Sequence, residues 1–145
     1  VIDINVIRID KVTEEVSLGF GSQPRTCIGN RKVVQQFVMG MLTDKGSDFM
    51  RPGFGGGLST MRINTYSAGE EGLQIFTADI VDRMRSVRDE IIASQPKATK
   101  LLASETLLRA ELKKINLLSG EPKIAIHIDV ITGDNSRKRI HLERS

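Results

Sequence analysis

The stretch Thr43-Asp-Lys-Gly-Ser-Asp-Phe-Met-Arg-Pro-Gly-Phe-Gly-Gly-Gly-Leu58 organises the reading of this chain. It holds five of the thirteen glycines and one of the four prolines. Glycine opens backbone conformations with positive φ, and proline fixes φ and removes a donor. The stretch therefore reads as a long, shaped loop, neither helix nor strand. Phe49 and Phe54 lie inside it, and a slack linker would not carry them. A loop with aromatics among glycines is packed down and often functional. Phe49 and Phe54 are expected to anchor it, with Gly55, Gly56 and Gly57 admitting backbone close to backbone, in this chain or in a partner's.

Working back from the loop, Val33, Val34, Phe37, Val38, Met41 and Leu42 recur at helical spacing behind Asn30, a good N-cap. Gly40 within that helix costs about 1 kcal/mol relative to Ala, which close packing would explain. Gly46 is placed to close the helix in the left-handed conformation. Further back, residues 1–12 alternate as Ile2, Ile4 and Val6, then Ile7 and Ile9 on the other parity, which predicts a strand with a bulge or bend. Residues 13–29 read as an extended surface connection, with Gly19, Gly21 and Pro24, anchored by Cys27 and Ile28.

Working forward, Leu58, Met61 and Ile63 lead into a polar connection. Leu73, Phe76, Ile80, Met84, Val87 and Ile91 then step by three or four, the strongest helix signal in the chain. Its start falls at Gly72 or at Thr77, and Pro96 ends it. Residues 99–118 fit a helix and a strand equally well. Ser119-Gly-Glu-Pro122 marks a turn, and residues 123–132 alternate strictly, with Ile124, Ile126, Ile128 and Val130 on one face of a half-buried strand. Residues 133–136 predict a hairpin turn into a last strand, with Ile140 and Leu142 facing inward. The pattern is α+β: two main helices packed on a small, mostly antiparallel sheet. One domain spans residues 1–145: an N-terminal strand and arm (1–29), a helical core with the glycine-rich loop (30–98) and a C-terminal sheet (99–145).

At 145 residues, 39% hydrophobic and 27% charged, the composition is that of a soluble globular domain with its own core. The net charge of +3 gives no strong case for nucleic acid. No apolar run approaches the ~20 residues of a membrane span, and no signal peptide is visible. The single Cys27 excludes an internal disulfide or a cysteine metal cluster and fits synthesis in a reducing cytoplasm. The first residue, Val1, points to a missing initiator or a longer N-terminus.

Four candidate chemistries are weak. The glycine loop has neither P-loop nor dinucleotide spacing. His127 and His141 fall on the polar parity of adjacent strands, where a metal would need Asp129 or Glu143, and no metal or cofactor is assigned. Glu70 and Asp79 echo half of a phage-lysozyme signature, but Arg85 stands where that signature has threonine. Arg137, Lys138, Arg139 and Arg144 make a basic terminal strand. It reads as a guarded edge or as a template for strand addition better than as a nucleic-acid site, since no aromatics interleave.

The run from Val33 to Leu58 resembles the small baseplate wedge protein, or sheath initiator, of contractile phage tails, a family shared with the type VI secretion baseplate subunit and often labelled lysozyme-like. Leu42, Thr43, Lys45, Gly46, Pro52, Phe54, Gly55 and Leu58 carry the match, and the helix through residues 77–83 resembles the family's second helix. Two positions and one motif depart from the pattern. Gly53 replaces a glutamate, and Asp48 replaces an arginine, with Arg51 nearby. The family's Glu-Pro-Arg is met by Gln95-Pro96-Lys97 in position, or by Glu121-Pro122-Lys123 in letters.

The resemblance implies a structural role and no enzymatic activity: a virion protein in six copies around the tail axis, made in the host cytoplasm. It would join other wedge proteins to the first ring of tail sheath protein, with tail tube or hub proteins as further candidate partners and no nucleic acid or membrane. Residues 99–118 would then be largely strand, completing a sheath-like docking sheet. The implied interface comprises Lys45, Gly46, Arg51, Pro52, Phe54, Gly55 and Leu58 in the loop; Gln95, Pro96 and Lys97 after the second helix; and Arg137, Arg139, Ile140 and Leu142 in the last strand. A phage, a phage-derived bacteriocin and a secretion system fit equally. A tail lysozyme is the alternative function.

Overall fold

The computed structural model describes residues 3–4, 7–9, 12–13, 16–18, 26–62, 69–95, 101–117 and 124–144. In chain order the elements are β1 (Asp3–Ile4), β2 (Ile7–Ile9), β3 (Val16–Leu18), β4 (Thr26–Cys27), α1 (Asn30–Leu42), α2 (Glu70–Ser94), β5 (Leu107–Leu117), β6 (Ile124–Thr132) and β7 (Arg137–Arg144). A 3-10 turn, Ala103–Glu105, precedes β5. The architecture is α+β. β5, β6 and β7 form an antiparallel meander in that order, and α1 and α2 pack together on it. The expectations that fell on Ile2, Val6, Gly19, Gly21, Pro24, Ile63, Pro96, Lys97, residues 99–100 and 118–123 lie outside the described residues. Among the described residues no helix is long and apolar enough to cross a membrane.

One core joins the layers. Val33, Val34, Phe37, Val38 and Met41 from α1 meet Phe76, Ile80, Met84, Val87 and Ile91 from α2 and Ile124, Ile126, Ile128 and Val130 from β6. These are the predicted stripes except for Leu73, which is only partly buried outside the core, with Leu42 at its margin. Residues 107–117 are strand, bulged between Leu107 and Arg109 and between Leu112 and Lys114. Periodicity could not decide this segment, because both templates fit three apolar residues. Pairing with β6 decides it. β6 is central in the meander and buried along nearly its whole length, Ala125, Asp129 and Ile131 included. The half-buried expectation fails there because the second face is also covered.

Several boundaries differ from the sequence expectations. The N-terminal strand is two: β1 pairs with β4, and β2 pairs with β3. The parity switch falls between two strands with different partners, and residues 13–29 contain two strands of these ribbons. Cys27 is buried as expected, but Ile28 is exposed. The N-cap of α1 is Gly29 at φ 61°, without a side-chain cap, so Asn30 is the first helical residue. α2 begins at Glu70, earlier than either predicted start, with Glu70 and Glu71 in its first turn where acids favour the macrodipole. Thr77 caps nothing. Its hydroxyl donates back to the Leu73 carbonyl inside the helix (2.7 Å). The helix stops at Ser94, with Gln95 extended before Pro96.

Candidate docking interface

The last carbonyls of a helix have no partner inside it, and the glycine-rich loop satisfies those of α1. The Gly56 N–H donates to the Gly40 carbonyl (2.9 Å), the Leu58 N–H to Met41 (2.9 Å) and the Gly57 N–H to Thr43 (2.8 Å). The Ser59 hydroxyl donates to Leu42 (2.7 Å), and the Thr43 amide and hydroxyl both donate to Met39 (2.9 and 2.7 Å). Such contact demands missing Cβ atoms. At Gly55, φ 131°, a Cβ would overlap the Thr43 carbonyl oxygen; at Gly56 it would lie 3.0 Å from the Met41 backbone. The close backbone approach is thus made within the chain, and the N–H groups of a would-be phosphate cradle are spent on the helix.

Arg83 ties the loop to α2. Its Nη1 donates to the Gly56 carbonyl (2.5 Å), and its Nε donates to Asp79 one turn back (3.0 Å). Phe54 closes the α1–α2 crossing beside Gly40, where a Cβ would lie 2.6 Å from Val87 Cγ1 and 3.0 Å from Phe54 Cζ. The close packing expected at Gly40 is present. Gly46 is left-handed, φ 86°, but follows the Thr43 cap by three residues. Its N–H instead donates to the Pro52 carbonyl (2.8 Å), closing the base of the loop tip. Phe49 does not anchor the loop. It is 93% exposed, with Met50 beside it at 82%.

The implied interface residues divide by exposure. Lys45, Gly46, Arg51 and Pro52 are exposed on the tip, whereas Phe54, Gly55 and Leu58 are buried beneath it. The Arg51 guanidinium lies 4.3 Å over the Phe54 ring and pairs with Asp48 (3.1 Å). Partial desolvation raises the Asp48 pKa, but the Met50 and Arg51 amides and the Arg51 guanidinium outweigh it, so the carboxyl stays below its ordinary value. Gln95 is half-buried at the end of α2, and its Nε2 has no hydrogen-bond partner among the described residues.

In β7, Ile140 and Leu142 point into the core, as their parity predicts, so their side chains are not open to a partner. Arg137 and Arg139 lie on the other face around Asp129, which is fully buried. Arg139 binds it with two nitrogens (2.8 and 3.2 Å), and Arg137 stands 3.5 Å away. The β6–β7 turn is locked by Asp134, which accepts from the Thr132 hydroxyl (2.5 Å), the Ser136 amide (3.0 Å) and the Ser136 hydroxyl (3.0 Å). The Thr132 hydroxyl first, then the Ser136 amide, holds its carboxyl below the usual range. Asn135 takes φ 60° in that turn.

The Thr132 N–H donates to Ser136 (3.1 Å), which sets the ladder's phase. Hydrogen-bonded pairs alternate along an antiparallel ladder. The N–H groups of Lys138, Ile140 and Leu142 therefore face β6, and those of Arg137, Arg139, His141 and Glu143 face the outer edge of the sheet. No third strand is laddered to that edge among the described residues, although β3 lies near β7.

The two histidines do meet. His127 and His141 face each other across the ladder, with ring centroids 4.5 Å apart and planes 20° from parallel. Stacked rings do not converge their in-plane nitrogens on one ion. Among the described residues no group of three or more His, Cys, Asp or Glu could hold a metal. His141 Nε2 lies 3.6 Å from Glu143, beyond hydrogen-bond reach. Beside His127 a shallow hollow of about 460 Å³ is lined by Lys113, Lys114, Asn116 and Arg139. Glu70 and Asp79 are both within α2. At about 100° per residue, nine residues put them on opposite sides of the helix, so the pair does not flank a cleft.

Sequence reasoning missed the ion pairing of Asp129, the loop contact of Arg83 and the exposure of Phe49 and Met50. An acid inside an Ile-rich strand and an Asp-Arg pair four residues apart were the available signals for the first two. Nothing in the local sequence marks Phe49 as exposed. Comparison of the chain with family models, with curated proteins and with solved structures finds no match.

Proposed function

We propose that this chain is a structural subunit of a contractile-tail baseplate that joins the wedge to the first sheath ring and templates the sheath by strand addition. The observation that carries the reading is the C-terminal meander ending in β7, with alternate amides directed off the sheet. An extended segment laid on that edge gains backbone hydrogen bonds, and the pleat fixes its register. The incoming strand takes the outer edge of β7. The loop motif supports the same reading, since its glycines and Phe54 brace the helices behind the sheet.

The test is an edge amide removed without disturbing the fold. Glu143→Pro deletes an outward N–H and leaves the bonds to β6, so its unfolding midpoint should match the parent's. Baseplates should incorporate this variant, yet sheath should fail to polymerise on them. Fully sheathed tails built on Glu143→Pro would overturn strand addition at β7.

A further inference from the structure

The charge of this chain is concentrated in one element. β7 sets four bases, Arg137, Lys138, Arg139 and Arg144, against one acid, Glu143, a net +3 within a single strand. The whole chain is also +3, so everything outside β7 balances to zero. Arg137, Lys138 and Arg139 are exposed. On the outer face of the sheet, Arg137 and Arg139 share the one buried carboxylate of Asp129, which leaves a positive charge in excess beside the edge.

We propose that the protein segment added to β7 is acidic, with carboxylates at alternate positions opposite Arg137 and Arg139. The inference rests on the strand-addition reading and names the chemistry of its partner. The ladder decides where those acids fall. The Arg137 and Arg139 amides face the outer edge, and both side chains lie on the sheet face away from the core. A strand laid there places every second side chain beside them, where opposite charges attract and like charges repel. Its intervening side chains join the face of Ile140 and Leu142, where apolar residues fit. Charged edges keep unwanted strands away. Here the same charges also select, because they repel a basic strand and draw in an acidic one. A second copy would bring another +3 strand against the first. Nucleic acid supplies negative charge but no peptide backbone to continue the ladder.

The test neutralises charge and keeps every outward amide. The double variant R137Q/K138Q takes β7 from +3 to +1 and leaves the Arg139–Asp129 pair in place. Its unfolding midpoint should stay near the parent's, and it should enter baseplates. Sheath should polymerise on those baseplates about tenfold more slowly at low salt, and the deficit should shrink as salt screens the parent. K138Q alone, which leaves both partners of Asp129 untouched, should show a smaller deficit of the same sign. The charge-conserving R137K/K138R should polymerise sheath as the parent does. Parental rates for R137Q/K138Q at every salt concentration would overturn the acidic partner and leave strand addition to stand on Glu143→Pro. Equally slow growth on R137K/K138R would overturn it in favour of side-chain shape. Dimerisation of the isolated chain that Glu143→Pro abolishes would replace the acidic partner with a second copy. Retention of the isolated chain on a DNA duplex, lost in R137Q/K138Q, would replace it with nucleic acid. Normal sheath on Glu143→Pro would remove strand addition itself, and this inference with it.

Discussion

At the scale of single residues, the glycines of the loop are not equivalent. Gly55 combines φ 131° with a carbonyl in the place of its Cβ, whereas Gly53 has open space and no positive φ. Backbone strain of that kind costs of order 1–3 kcal/mol, and the Thr43 overlap adds to it. Gly55→Ala should lower the urea midpoint clearly, and Gly53→Ala should leave it close to the parent's. Equal midpoints for the two would mean that the loop rearranges freely. The run of glycines is plain in the sequence, but the carbonyl each one must clear is not. Gly40 is the exception, since a glycine inside an apolar stripe already asks for a close neighbour.

At the scale of elements, the outer face of the meander depends on one buried carboxylate. Breaking a buried pair costs more than the pair itself contributes, because the remaining charge is stranded. Arg139→Ala should destabilise by about 2–3 kcal/mol, below the usual range because Arg139 is half-exposed and Arg137 remains near Asp129. The double variant D129A/R139A should cost less than the sum of the single changes, read from chemical denaturation as a double-mutant cycle. Additive losses would show that Arg139 acts through packing alone. The same face explains why β6 is buried on both sides although its sequence alternates. Asp129 is hidden by partners that come from β7, not by its own neighbours in sequence.

At the scale of the whole molecule, β7 is both the proposed docking edge and a wall of the core. Ile140 is fully buried and Leu142 is 6% exposed. Removing residues 137–145 strips away these two side chains, worth roughly 1.5–3 kcal/mol each, and uncovers β6. Against a total stability of about 5–15 kcal/mol, the truncated chain should lose its cooperative thermal transition, as calorimetry would show. A sharp transition in the truncated chain would mean that α1, α2, β5 and β6 fold as a unit. For this reason the docking test uses a single edge amide and not a deletion.

By itself, the sequence determined the class of the fold, the two helices, the strands β6 and β7 and the turn between them. Apolar spacing of three to four or of two residues is a local property, and it survives into the core because burial rewards whichever face is apolar. Tertiary structure decided the rest. Pairing made residues 107–117 a strand where periodicity was even, and a change of partner split the N-terminal run into β1 and β2. Only the folded chain shows which carbonyls the glycine loop must reach. Those carbonyls belong to α1, so the loop's N–H groups turn inward, and Phe49 and Met50 at its tip face solvent with the polar residues around them.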